Sequence, residues 1–99
     1  MATMMVSSQA LLTRAQELED LNNQFKTQTS ALEEKEQALK GMYEGDAATE
    51  FHNAFSRDKI QMDNFFNCIA RYAQVLREIA SNIERAEAEN KSVAATRSY

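Results

Sequence analysis

Few side chains in this sequence could carry chemistry, and their spacing limits what they can do. The chain has one histidine, His52, and one cysteine, Cys68. A bound metal needs three or four ligands, and only Asp46 and Glu50 stand near His52 at helical spacing. No Ser/His/Asp set, paired carboxylates or glycine-rich phosphate loop can be assembled from the remaining residues. The pattern points away from an enzyme and from any metal or cofactor. His52 reads as a surface residue near a turn. Cys68 precedes an apolar row and reads as a small, buried or half-buried thiol, with an interchain disulfide as the second reading. The runs Glu33-Glu34-Lys35-Glu36 and Glu84-Arg85-Ala86-Glu87 read as solvated helix faces.

What remains is recognition, and the elements that would position it are helices. Both glycines fall in Lys40-Gly41-Met42-Tyr43-Glu44-Gly45-Asp46, and the 99-residue chain has no proline. Glycine and proline are the strongest breakers of regular structure, so the chain is expected to be interrupted only there. Tyr43 stands between the glycines, either as a cover over the end of a helical core or as a recognition residue.

Before the turn, Leu11, Leu18, Phe25, Leu32 and Leu39 repeat every seven residues. A weaker row, Arg14, Leu21, Gln28, Lys35 and Met42, is expected beside them. After the turn the strong row is Phe55, Met62, Ile69, Leu76 and Ile83, and its expected partner row is Asp58, Phe65, Tyr72, Ile79 and Ala86. Such repeats give one apolar edge per helix and packing of the coiled-coil kind. Ser7 or Ser8 is a fitting first cap and Asp46 or Gly45 a fitting second one. The expected boundaries are helix 1 at about 8–40, a turn at 41–46, helix 2 at about 47–87 and a polar, flexible tail at 88–99. All of it forms a single domain, 1–99.

The expected fold is all-α: an antiparallel two-helix hairpin. Folding about the turn pairs residues whose numbers add to roughly 88, placing Leu32 by Phe55, Phe25 by Met62, Leu18 by Ile69 and Leu11 by Leu76. Met4 or Met5 would reach Ile83, and the second helix overhangs. Phe51, Phe66, Ala73 and Ala80 are left without a facing surface, and two helices share one seam only. The single seam of one hairpin falls short of its ordering cost, so the chain is expected to dimerise into a four-helix bundle.

The bulk numbers exclude other classes. The formal net charge is −4, from 15 acidic and 11 basic residues, with neither half forming a basic surface for nucleic acid. The first nine residues carry no Lys or Arg, and no apolar run is long enough for a secretory leader or a membrane span. The expectation is a chain folded in the cytoplasm, without stable membrane insertion, that would leave the cell only by a route needing no leader.

These features together resemble the WXG (Trp-Xaa-Gly) family of ESAT-like, leaderless type VII secretion substrates of Gram-positive bacteria. The resemblance runs over nearly the whole chain. The turn motif is Tyr43-Glu44-Gly45, with tyrosine in place of tryptophan, followed by Asp46-Ala47-Ala48-Thr49-Glu50-Phe51 and Phe55. The family's C-terminal export signal matches Ile83-Glu84-Arg85-Ala86-Glu87, so Ile83 and Glu87 are its candidate residues. Tyr72 has Leu76 rather than an acid four residues on, and Asn90 takes an apolar position, which leaves the tail signal degenerate.

The resemblance implies a folded dimer recognised by a membrane-bound secretion ATPase and then secreted. The partner would be a second copy or a related hairpin. The alternatives are a targeting chaperone for a larger type VII toxin, or a cytoplasmic coiled-coil adaptor that is not exported.

Overall fold

The computed structural model describes residues 7–42 and 45–96, and side chains as far as residue 92. It contains two α-helices, α1 (Ser8–Met42) and α2 (Asp46–Thr96), packed along each other as a hairpin of 84 × 25 × 17 Å. Among the described residues there is no strand. The all-α hairpin read from the sequence is the fold.

The helix starts follow from local chemistry. Ser7 caps α1, its Oγ accepting from the Ala10 amide at 3.1 Å. Gly45 precedes α2 with φ +108°, in a region that an L side chain rarely adopts. Its carbonyl accepts from the Thr49 amide at 3.2 Å, the first bond of the new helix. Asp46 adds a negative charge to the first turn of α2, where the helix dipole favours one.

α2 does not stop near residue 87. It continues to Thr96, since nothing after Gly45 breaks a helix: there is no glycine or proline in that stretch, and alanine recurs through it. The pairing of Met4 or Met5 with Ile83 falls outside the described residues.

The register agrees with the folding-back point. Asn22 meets Phe66 and Glu36 meets His52, pairs whose numbers both add to roughly 88. The seam itself is rotated from the expected one. On α1 the buried residues are Ala15, Asn22, Thr29 and Glu36, seven apart and four residues beyond the leucine row. The expected row of Arg14, Leu21, Gln28, Lys35 and Met42 is exposed along its length.

On α2 the innermost row is His52, Lys59, Phe66, Ala73 and Ala80, with Ala73 and Ala80 fully buried. Those two alanines are therefore seam residues and not leftovers for another surface. The expected partner row of Asp58, Phe65, Tyr72 and Ile79 faces out. The physical reason is size. Alanines at the centre let the two backbones come close, and the larger Leu, Phe, Met and Ile side chains then flank the contact instead of filling it.

Candidate functional site

Two strips run along the hairpin on either side of the seam, and they differ in chemistry. On one side the ion pairs gather. Arg77 pairs with Glu19, and Lys59 lies 3.9 Å from Glu33 and 2.8 Å from Asp63. The Lys26 ammonium stands over the Phe66 ring, 4.7 Å from its centroid. The hydrogen bond to Asp63 is the main reason the Lys59 pKa is raised, and the bond to Glu19 does the same for Arg77.

The other side is apolar. The rows Leu11, Leu18, Phe25, Leu32, Leu39 and Phe55, Met62, Ile69, Leu76, Ile83 each lie three residues on from the seam row of their helix. In an antiparallel pair both rows therefore come to the same face. The edge-on contact of Phe25 with Phe65, centroids 5.2 Å apart, crosses between the helices on this side. No large side chain is fully buried anywhere in the described chain.

Leu11, Leu18, Phe25, Phe55, Met62, Phe66, Ile69 and Leu76 are half-buried, while Leu32, Leu39 and Phe51 are exposed. Phe65 and Tyr72 stand 53% and 55% exposed, and Ile79 continues their line. Exposed large apolar side chains gathered along one face in this way are characteristic of a surface that another molecule covers. Apart from Phe66, which lies in the seam row beneath Lys26, the candidate packing residues are thus brought together, but on one open face.

Several single residues sit elsewhere than the sequence suggested. Tyr72 is on the open face, not the seam. Cys68 is free and exposed, because α2 turns its row away from α1. The Cys68 side chain one turn earlier is the main cause of a raised Tyr72 pKa.

His52 is not a surface residue of the turn. Its Nδ1 lies 2.5 Å from Oε1 of Glu36, which is itself only 3% exposed, so Glu36 is no part of a solvated face. The polar seam residues Asn22, Thr29 and Glu36 escape a search for apolar repeats. Their signal was the seven-residue spacing itself, and the complementarity of Glu36 with His52 at the predicted register. Asn22 Nδ2 donates to the Phe66 carbonyl at 2.9 Å, and the Thr29 hydroxyl donates to the Lys26 carbonyl of its own helix.

Of the turn motif, Gly45 is described above, and Tyr43 lies outside the described residues. Ile83 is half-buried, and Glu87 is exposed on the part of α2 that runs past the start of α1. Near the turn, Glu36, Leu39, Lys40, Ala47, Ala48 and Phe51 line a cleft of about 300 Å³. It arises because Ala48 occupies a row position that is Phe, Met, Ile or Leu at every later level. Among the described residues no cluster suits a metal ion, and no helix is long and apolar enough to cross a membrane.

This geometry and sequence have relatives. Residues 3–88 match the model of the WXG100 family, described as proteins of 100 residues with WXG. No individual curated sequence is similar enough to the chain to count as a match. Among solved structures, the hairpin is similar to the secreted protein EsxB of Bacillus anthracis strain Sterne. The TM-score is 0.77 at 20% identity, over 88% of this chain and 99% of that one. A glycine-to-alanine variant of the same protein aligns with a TM-score of 0.75, over 85% of this chain and 97% of that one.

Proposed function

This chain belongs to the WXG100 family, and from that premise we propose that it is a non-enzymatic protein exported by a type VII secretion system as a folded dimer, a substrate or co-substrate. The observation that carries the reading is the open apolar face of Leu32, Leu39, Phe51, Phe65, Tyr72 and Ile79, opposite a face of ion pairs. Two such hairpins laid face to face make a four-helix bundle with these ion pairs outside. The covering molecule is a second copy or a related hairpin.

The end of α2 beyond Ala80 runs past the start of the described α1 and offers a surface that another protein can hold. In a head-to-tail dimer, Tyr43 and Gly45 of one protomer lie near Ile83 and Glu87 of the other. A secretion ATPase would then read one composite signal that exists only in the dimer. The similarity to secreted EsxB supports export as the outcome.

The test is secretion from the native cell. The protein is expected in the culture medium and absent from it when the secretion ATPase is deleted. Tyr43→Ala and Glu87→Ala should each stop export while the dimer persists by light scattering. Unchanged export of both variants would sink the composite signal. Retention in the cell with the ATPase intact would sink export altogether.

A further inference from the structure

We infer that the cleft beside the turn is a subsite for a basic side chain, a lysine or arginine, carried by the protein that pairs with this hairpin. The inference rests on the pairing proposed above and adds what the pairing surface selects. Three observations lead to it.

The walls are apolar: Leu39 from α1, and Ala47, Ala48 and Phe51 from α2, with Phe51 54% exposed at the mouth. The cleft is continuous with the open face and, at about 300 Å³, has room for one long side chain. Its one buried polar wall residue is Glu36, 3% exposed, whose Oε1 is taken by His52. The second oxygen, Oε2, is buried with no hydrogen-bond partner among the described residues. A buried acceptor left in that state costs free energy that a donor would recover.

An apolar stem ending in N–H donors satisfies both halves of the cleft. The stem packs between Leu39, Ala48 and Phe51, and the charged head donates to the carboxylate. A purely apolar occupant would leave Oε2 unpaired, and an acidic one would place like charges together. Lys40 also lines the cleft, one turn from Glu36 on α1. It is the intramolecular competitor, yet no ion pair joins the two, and the hydrogen-bond partner of Glu36 is His52.

The experiment reads the Ala47 and Ala48 methyl resonances of the full chain. In a mixed-label sample of the associated protein, a partner's Lys or Arg methylenes should show contacts to the Ala48 methyl. Where the chain sediments as a monomer, Nα-acetyl-lysine methylamide serves as the probe, and its Nε-acetylated form as the neutral control. Binding should be saturable, at least tenfold tighter for the charged probe, and Glu36→Gln should abolish that preference. Ala48→Leu, which fills the cleft and leaves Glu36 in place, should remove binding while helicity stays intact.

Contacts from apolar side chains only, or equal binding of the two probes, would overturn the inference. So would a charge preference that Glu36→Gln leaves unchanged. Sedimentation in the same buffer separates the two proposals. A dimer with no basic side chain in the cleft ends this one and spares the pairing. A monomer that binds the charged probe does the reverse for self-pairing.

Discussion

Glu36 of α1 and His52 of α2 face each other across the seam, with Nδ1 and Oε1 2.5 Å apart. They lie close to the turn, on different helices, and hold together the end of the hairpin where the chain reverses. Glu36 is almost wholly buried, so its stability depends on the donor opposite. His52→Ala is expected to cost about 1–3 kcal/mol by leaving the buried carboxylate without its partner. Glu36→Gln in the same background should restore part of that loss. Thermal or urea unfolding of the two single variants and the double variant measures the coupling.

Ala73 and Ala80 are fully buried between the helices, where the backbones approach. Ala73→Leu has nowhere to put its added atoms and is expected to destabilise by about 1–3 kcal/mol. Ala70→Leu, at an exposed position three residues earlier on the same helix, should stay within about 0.5 kcal/mol of the native chain. Equal melting temperatures for the two variants would contradict the rotated seam.

Asn22 holds the register from inside the seam. Its Nδ2 reaches the Phe66 carbonyl, but its Oδ1 is buried without a partner. Replacing it by leucine removes that unpaired acceptor along with the bond. Asn22→Leu should therefore melt at or above the native temperature, yet lose the single alignment that the bond specifies. Spin labels at exposed positions on the two helices should report one narrow distance in the native chain and a broader distribution in the variant.

Raising the pH should weaken the hairpin. Tyr72, Lys59 and Arg77 each hold their proton more tightly when folded, through Cys68, Asp63 and Glu19 respectively. A group whose folded pKa is raised contributes stability below its unfolded pKa, and that contribution fades as pH climbs through the folded one. For Tyr72 and Lys59 the window opens near pH 10. Melting temperatures by circular dichroism are expected to fall as the pH rises above about 10, and Tyr72→Phe should make the fall shallower.

The open face is tested by charge. Phe65→Arg and Tyr72→Arg place a cation in the middle of the apolar strip, and each should shift the chain from dimer to monomer with helicity kept. Gln74→Arg, on an exposed row away from that strip, should leave association unchanged. Light scattering at a fixed concentration separates these outcomes, and dimers in all three variants would refute this face.

The hairpin and its register were legible because the sequence has a single break, at Gly41 to Gly45, and strong seven-residue rows on both sides. The rotation of the seam was not. Apolar counting puts the centre of each stripe at its largest side chains, Leu18 or Met62. The contact instead centres on small and polar residues, Ala15, Asn22, Ala73 and Ala80, because close backbones favour them. The same error misplaced His52, Glu36, Cys68 and Tyr72 together, since all four are set by the rotation of one helix or the other. The end of α2 was misread for a different reason. A polar stretch without apolar rows reads as a loosely helical or disordered tail, though alanine, glutamate and lysine are good helix formers.

That uninterrupted α2 has a mechanical consequence. Its segment past Ala80 belongs to the same hydrogen-bonded rod that forms half of the seam, with no joint between them. Tension applied there, against a body held on the apolar face, runs along the rod and loads the contacts lengthwise. The layers from Ala80 down to His52 then share the load in shear and do not peel one at a time. A hairpin gripped by that end is built to be hauled whole.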